Sequence, residues 1–159
     1  MKTIIICSSI HHQNTFKIAQ AMAGVLNCSV VRTENINLDE LKKYDLIGFG
    51  SGIYLWRNHR GLIKLAKKLS SMAGKSSFIF STSGDKNHNI QKWHRALRDI
   101  LKEKGFKILD EFNCLGWDTI GPLMLFGGIN RGRPNERDME NAKDFSRNIL
   151  KLYTTGRLK

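Results

Sequence analysis

Ile4-Ile5-Ile6-Cys7-Ser8-Ser9-Ile10-His11-His12-Gln13-Asn14-Thr15 begins with four consecutive apolar residues and ends in hydroxyl, imidazole and amide side chains. A short continuous apolar run predicts a strand covered on both faces, the kind that sits inside a parallel sheet. Asn14 or Thr15 then predicts the cap of a helix whose apolar stripe is Ala19, Met22, Ala23 and Leu26. A buried strand, a polar turn and an amphipathic helix make the first half of a strand–helix–strand unit.

The same alternation continues along the chain. Strands are expected at 29–32, 46–50, 78–82 and 108–115, the last carrying Asp110 and Glu111, charges suited to a sheet edge. Asn37 with Glu40 predicts the cap of a brief helix ending near Tyr44. Longer helices are expected at 61–71 (Leu62, Ala66, Leu69), through Trp93, Leu97, Ile100 and Leu101 as far as Gly105, and after Pro134-Asn135 (Ala142, Phe145, Ile149, Leu152). Five strands alternating with five helices predict an α/β domain with a parallel sheet and right-handed crossovers. With 159 residues and no linker or repeat, we expect one domain over 1–159. Between the fifth strand and the last helix lies a glycine-rich stretch, 116–135, read either as a packed excursion over the sheet edge or as a lid over a ligand.

The three cysteines, Cys7, Cys28 and Cys114, are too far apart for a disulfide framework or a metal knuckle, and no apolar run reaches the ~18 residues a membrane span needs. A cytoplasmic protein with reduced thiols is the expectation. The net charge is +12, and 13 Lys/Arg against 3 Asp/Glu fall within 54–107. Such a surplus suits nucleic acid, an acidic protein or a phosphorylated ligand. No helix-turn-helix, RRM or basic-arm signature supports nucleic acid.

In an open parallel sheet, ligands bind beyond the carboxyl ends of the strands where strand order reverses, which directs attention to 8–15, 51–59 and 83–89. The first of these holds no carboxylate and runs into a helix N-terminus, where backbone N–H groups and the helix dipole favour an anion. The absence of carboxylates excludes a phosphorylatable receiver. No GxxxxGK or GxGxxG occurs, which excludes a nucleoside triphosphate P-loop and argues against a dinucleotide site. His11, His12, His59 and His88 match no metal-ligand spacing, so no metal is expected, and no catalytic residue is assigned. Tyr54 and Trp56 are candidates for stacking on a planar ligand, whereas Trp93 falls on its helix's apolar stripe and reads as core.

Ser9-x-His11-His12-x-Asn14-Thr15 resembles the phosphate-binding loop of the flavodoxin-like superfamily, with histidines in place of the usual threonines and Gln13 in place of a common glycine. Gly50-Ser51-Gly52-Ile53-Tyr54 is similar to that family's first flavin-flanking loop, and Ser81-Thr82-Ser83-Gly84 to its second. Gly132-Arg133-Pro134-Asn135-Glu136-x-Asp138 resembles the tail of a subgroup of small microbial members. The resemblance implies a doubly wound five-stranded parallel sheet of order 2-1-3-4-5 with helices on both faces. It implies FMN as cofactor, touched by Ser9, His11, His12, Gln13, Asn14 and Thr15, by Ser51, Gly52, Ile53, Tyr54 and Trp56, and by Thr82, Ser83, Gly84 and Asp85. The function implied is electron transfer through bound flavin between redox partners. The alternative is a small FMN-dependent oxidoreductase acting on a quinone-like or porphyrinogen substrate, and a flavin-free basic interaction module stands behind both. Arg60, Lys64, Lys67 and Lys68, with Lys92, Arg95, Arg98 and Lys102, predict a basic field for an acidic redox partner protein. Arg57, Arg60 and Lys86 against Asp85 and Asp118 predict a net positive charge beside the flavin.

Overall fold

The computed structural model describes residues 1–9, 13–85, 89–119 and 127–156. In chain order the elements are β1 (Thr3–Ser8), α1 (Asn14–Leu26), β2 (Ser29–Arg32), a 3-10 turn (Leu38–Lys43), β3 (Leu46–Tyr54), β4 (Arg57–Asn58), α2 (Arg60–Lys68), β5 (Ser76–Ser83), α3 (Ile90–Trp93), α4 (Arg95–Glu103), β6 (Lys107–Leu115) and α5 (Glu136–Thr155). Five strands pair in parallel in the order β2-β1-β3-β5-β6, and the two-residue β4 folds back antiparallel on β3. Counted without β4, this is the 2-1-3-4-5 order expected.

Alternation along β1 divides the core. Ile4 and Ile6 face Leu62, Leu65, Ala66, Leu97 and Leu101 of α2 and α4, while Ile5 and Cys7 face Ile18, Ala19 and Met22 of α1 and Ala142 and Ile149 of α5. Each fully buried large aliphatic side chain contributes roughly 1.5–3 kcal/mol. Helices therefore cover both faces, as a parallel sheet requires.

Several elements depart from the sequence expectation. β3 runs on to Tyr54 rather than ending at Gly50, because Ser51 and Gly52 pair with Ser8 of β1 and with Ser81 and Thr82 of β5. The glycines suit this strand, since a Cβ at Gly48 or Gly50 would meet the Phe78 or Phe80 ring. α2 starts with His59, whose Nδ1 accepts from the Gly61 N–H at 3.1 Å, and ends at Lys68, three residues early. The helix expected through Trp93 is broken at His94, whose ring turns inward to Ser81 and Glu111. α1 is capped at Gln13, with Asn14 and Thr15 inside the helix. α5 starts with a capping box between Asn135 and Asp138 and buries Tyr153 where Leu152 was expected; Leu152 is exposed. Glu111 is no simple edge charge either: β6 is an edge strand, but this carboxylate packs against α4. Among the described residues, no helix is long and apolar enough to cross a membrane.

Candidate functional site

The site is built at the carboxyl ends of β1, β3 and β5. Gln13, in the left-handed region with φ 54°, makes the sharp turn into α1 and offers no side-chain cap; the first turn of α1 holds no acid. Among the described residues no side chain caps this helix end, whose N–H groups and positive dipole end suit an anion. Asn14 is buried and donates from Nδ2 to the Trp117 carbonyl at 2.7 Å, while its Oδ1 is buried with no partner. Thr15 Oγ1 lies 2.8 Å from Thr82 Oγ1. One hydroxyl proton closes that bond and the other remains available to a ligand. Ser9 Oγ is also buried without a partner, and the Ser9 carbonyl accepts from Arg32 at 3.3 Å. His11 and His12 lie outside the described residues.

The β3–β4 hairpin forms the second part. Its two-residue loop, Leu55 and Trp56, has φ of 48° and 64°. Positive φ at both loop residues is what a tight hairpin needs, yet glycine or asparagine usually meets it. A bulky residue there costs on the order of 1–2 kcal/mol. Two such residues, 85% and 63% exposed, are held out at the rim of a cavity. Tyr54 covers Gly52, where a Cβ would meet its ring at 2.7 Å, and sits edge-on to His59. Ser51 turns away from the site. It is fully buried, donates to the Gly52 carbonyl and accepts from Asn58 Nδ2 and the His59 N–H, so its hydroxyl braces the hairpin.

Thr82 and Ser83 end β5 and Gly84 follows, with Asp118 and Asn130 of the glycine-rich stretch packed against it. Asp118 and Ile129 form an antiparallel bridge, Asn130 Nδ2 donates to the Gly84 carbonyl at 2.8 Å, and Asp118 packs so closely on Gly84 that a Cβ there would lie 2.5 Å from its Oδ2. The base of this stretch is therefore a wall. Residues 120–126 lie outside those described.

Together these parts enclose a cavity of about 810 Å³, within the size range of small-molecule sites. Ile53, Leu55 and Trp56 line one side, Ser83, Gly84 and Asp85 another, and Trp93, Asp118, Ile129 and Asn130 complete it. A narrow cleft runs from it towards α1 between Asn14, Thr15, Gly52, Tyr54 and Thr82. Of the residues singled out in the sequence, the cavity and cleft bring together Asn14, Thr15, Gly52, Ile53, Tyr54, Trp56, Thr82, Ser83, Gly84 and Asp85. Ser9 instead lines a separate depression beside Glu34, His59 and Lys64.

Leu55, Trp93, Ile129 and Asn130, with Gly116 and Trp117 of the cleft, were missed as site residues, and Asp118 was expected only as a nearby charge. Trp93 is both buried and wall-forming, its ring 6.5 Å from that of Trp56. Of the groups expected to place a positive charge at the ring, Lys86 lies outside the described residues. The cavity carries two carboxylates, Asp85 and Asp118, and no Lys or Arg among its described lining, while Arg57 and Arg60 point to solvent. Burial pushes the Cys7 thiol up to about 12 and raises Cys114 as well, which suits inert core residues rather than nucleophiles. No cluster that could hold a metal occurs among the described residues.

Residues 4–116 match the family model of the flavodoxin domain. An uncharacterized protein of Methanocaldococcus jannaschii is 46% identical over 151 residues, covering 95% of this chain and 99% of its own. Oxidised flavodoxin 1 of Bacillus cereus superposes with a TM-score of 0.69 at 16% identity, over 95% of this chain and 98% of that one. A Fusobacterium nucleatum flavodoxin bound to flavin mononucleotide superposes with a TM-score of 0.67, also at 16% identity and over 95% and 98% of the two chains. At such identities the structural likeness speaks for the fold.

Proposed function

Because the chain belongs to the flavodoxin domain family, we propose that it binds FMN and passes electrons between redox partners. The observation that carries the reading is the joining of an uncapped α1 N-terminus, through a polar cleft, to an aromatic-rimmed cavity of about 810 Å³. The donor set fits the cofactor part by part. Free N–H groups at the start of α1 suit a phosphate. The spare hydroxyl proton of the Thr15–Thr82 pair and the unpartnered Asn14 Oδ1 suit a polyol chain, one as donor and one as acceptor. Trp56, Trp93 and Ile53 suit a planar ring. Bound FMN supplies the redox chemistry in one- and two-electron steps. The chain's own residues orient it, exclude water from one side and set the charge around it. Titrating purified protein with FMN is expected to perturb the flavin absorbance bands and quench Trp56 and Trp93 fluorescence at one equivalent. Unchanged spectra at high protein concentration would reject the reading and return the chain to a flavin-free interaction module.

The partner is proposed to be acidic. Arg60, Lys64, Lys67 and Lys68 on α2, and Arg95 and Lys102 on α4, are exposed on helices that pack on the same sheet face; Lys92 is exposed on α3, and Arg95 pairs with Asp99 at 3.8 Å. Arg98, expected among them, is instead tied to Glu111. Solvent-facing cations of one sign steer an encounter, an effect screened over ~8 Å at physiological salt. Reversing Lys64, Lys67 and Lys68 to Glu is expected to slow electron transfer to an acidic partner by roughly tenfold at low salt, with FMN affinity nearly unchanged. Stopped-flow rates that ignore both salt and the triple reversal would reject the docking face.

A further inference from the structure

One buried chain of polar groups leaves the cavity wall and is not used by the reading above. Ser83, which lines both cavity and cleft, donates from Oγ towards Asn113 Oδ1 and the Asp85 carbonyl, each at 3.2 Å. Asn113 Nδ2 donates to Ser81 Oγ at 2.8 Å and to the Ser81 carbonyl at 3.3 Å. Ser81 Oγ lies 2.7 Å from His94 Nε2, and His94 Nδ1 lies 2.9 Å from Glu111 Oε2. Arg98 grips the same carboxylate from α4 with Nε and Nη2. Ser81 and His94 are fully buried.

The direction of every bond follows from its ends. A backbone carbonyl only accepts, so the Ser81 carbonyl turns the Asn113 amide nitrogen towards itself and the Asn113 oxygen towards Ser83. That oxygen and the Asp85 carbonyl are both pure acceptors, so whichever of them takes the single Ser83 proton, that proton is engaged within the protein. At the far end the charges facing His94 are Glu111 from β6 and Arg98 from α4. Burial raises the Glu111 carboxyl, but hydrogen bonds from His94 and Arg98 outweigh it and hold it down at about 2. The carboxylate accepts from Nδ1, and a bare Nε2 then accepts from Ser81 Oγ, the arrangement the proposal below requires. From Ser83 to His94 the donors then run away from Ser83 towards Glu111, and Arg98 donates to the same carboxylate from α4.

We propose that Ser83 is a specificity-determining residue that offers the cavity lone pairs only, selecting a heterocyclic ring edge that presents an N–H and rejecting a carbonyl edge. In the same proposal, the Ser81–Asn113–His94–Glu111 chain is the positioning device that fixes this polarity. The ligand half rests on the flavin reading; the chain's polarity does not.

Two measurements test the two halves. Long-range nitrogen–proton NMR of the ligand-free chain, labelled at histidine, is expected to show His94 at neutral pH with Nδ1 protonated and Nε2 bare; the His94→Gln variant assigns the signal. A protonated Nε2 overturns the chain. Affinities for FMN and for FMN methylated at its ring imide nitrogen are then compared. The wild-type chain is expected to prefer FMN by about tenfold or more, the worth of one hydrogen bond. Ser83→Ala is expected to collapse that preference, and His94→Phe to reduce it, since the Ser81 carbonyl still orients Asn113. His94→Gln, whose amide oxygen can still accept from Ser81, is expected to retain it. A preference unchanged in Ser83→Ala overturns the role of Ser83, whether or not the histidine variants fold. A preference kept in a folded His94→Phe overturns the relay. Failure of the wild-type chain to bind either flavin overturns the flavin reading and the ligand named here, and the NMR result distinguishes that from failure of the chain.

Discussion

Riboflavin is expected to bind at least about 100-fold more weakly than FMN. The two differ only in the phosphate, so the ratio isolates the α1 N-terminus. Gln13 supplies no side-chain cap and the first turn of α1 contains no acid, so neither competes for those N–H groups. A hydrogen bond to a charged group is worth about 1.5–3 kcal/mol, and two such bonds give about 3 kcal/mol or more. The helix dipole adds about 0.3–1 kcal/mol in the same direction. A factor of ten in affinity is about 1.4 kcal/mol, which sets the expected ratio. Titration calorimetry giving equal affinities for the two flavins would place the phosphate in solvent and sink this end of the site.

The fold was legible because its signals are local. The apolar runs of β1, β3 and β5 need no partner to be recognised, and the stripes of α1, α2 and α4 repeat at helical spacing. What was hidden depends on residues far apart in the chain. Gly50-Ser51-Gly52 reads as a loop until Ser8 and Thr82 are beside it. The apolar stripe through Trp93 and Leu97 reads as one helix, because the groups that draw His94 inward sit on β5 and β6. On α5, Leu152 and Tyr153 are adjacent and both apolar, so spacing alone does not say which is buried.

The candidate site divides along the same line. The turn into α1 and the ends of β3 and β5 were legible as hydroxyl- and glycine-rich junctions between strand and helix. The fourth wall was not, since Asp118, Ile129 and Asn130 reach the cavity only through the bridge at the base of a long glycine-rich stretch. Charge counted along the loops is also a weak guide to the field at the cavity. Sequence proximity places Arg57 and Arg60 near the cavity, but the hairpin turns them to solvent while Asp118 comes in from a remote segment.

The two carboxylates in the cavity wall lead to the largest expected effect. The double substitution Asp85→Asn and Asp118→Asn is expected to raise the midpoint potential of the FMN-loaded protein by about 90–170 mV. Both carboxylates line the cavity, so each electron added there meets two negative charges. At a separation of ~8 Å and an effective dielectric near 20, one carboxylate opposes an added charge by about 2 kcal/mol, and solvent at the open rim cuts this to about 1–2 kcal/mol. The pair then amounts to about 2–4 kcal/mol, which at ~59 mV per tenfold gives the range stated. Asparagine keeps the shape of aspartate, so the Asp118→Asn side chain still fits against Gly84, where there is no room for a larger group. FMN affinity in the oxidised state should change little, because the oxidised ring is neutral. The two single variants should each give roughly half the shift, since both act through the field rather than through a shared bond. Redox titration with indicator dyes at neutral pH reads all three variants against the wild type. A shift below about 30 mV in the double variant, half a decade at ~59 mV per tenfold, would mean that solvent screens both carboxylates from the ring, and that something other than this pair sets the potential.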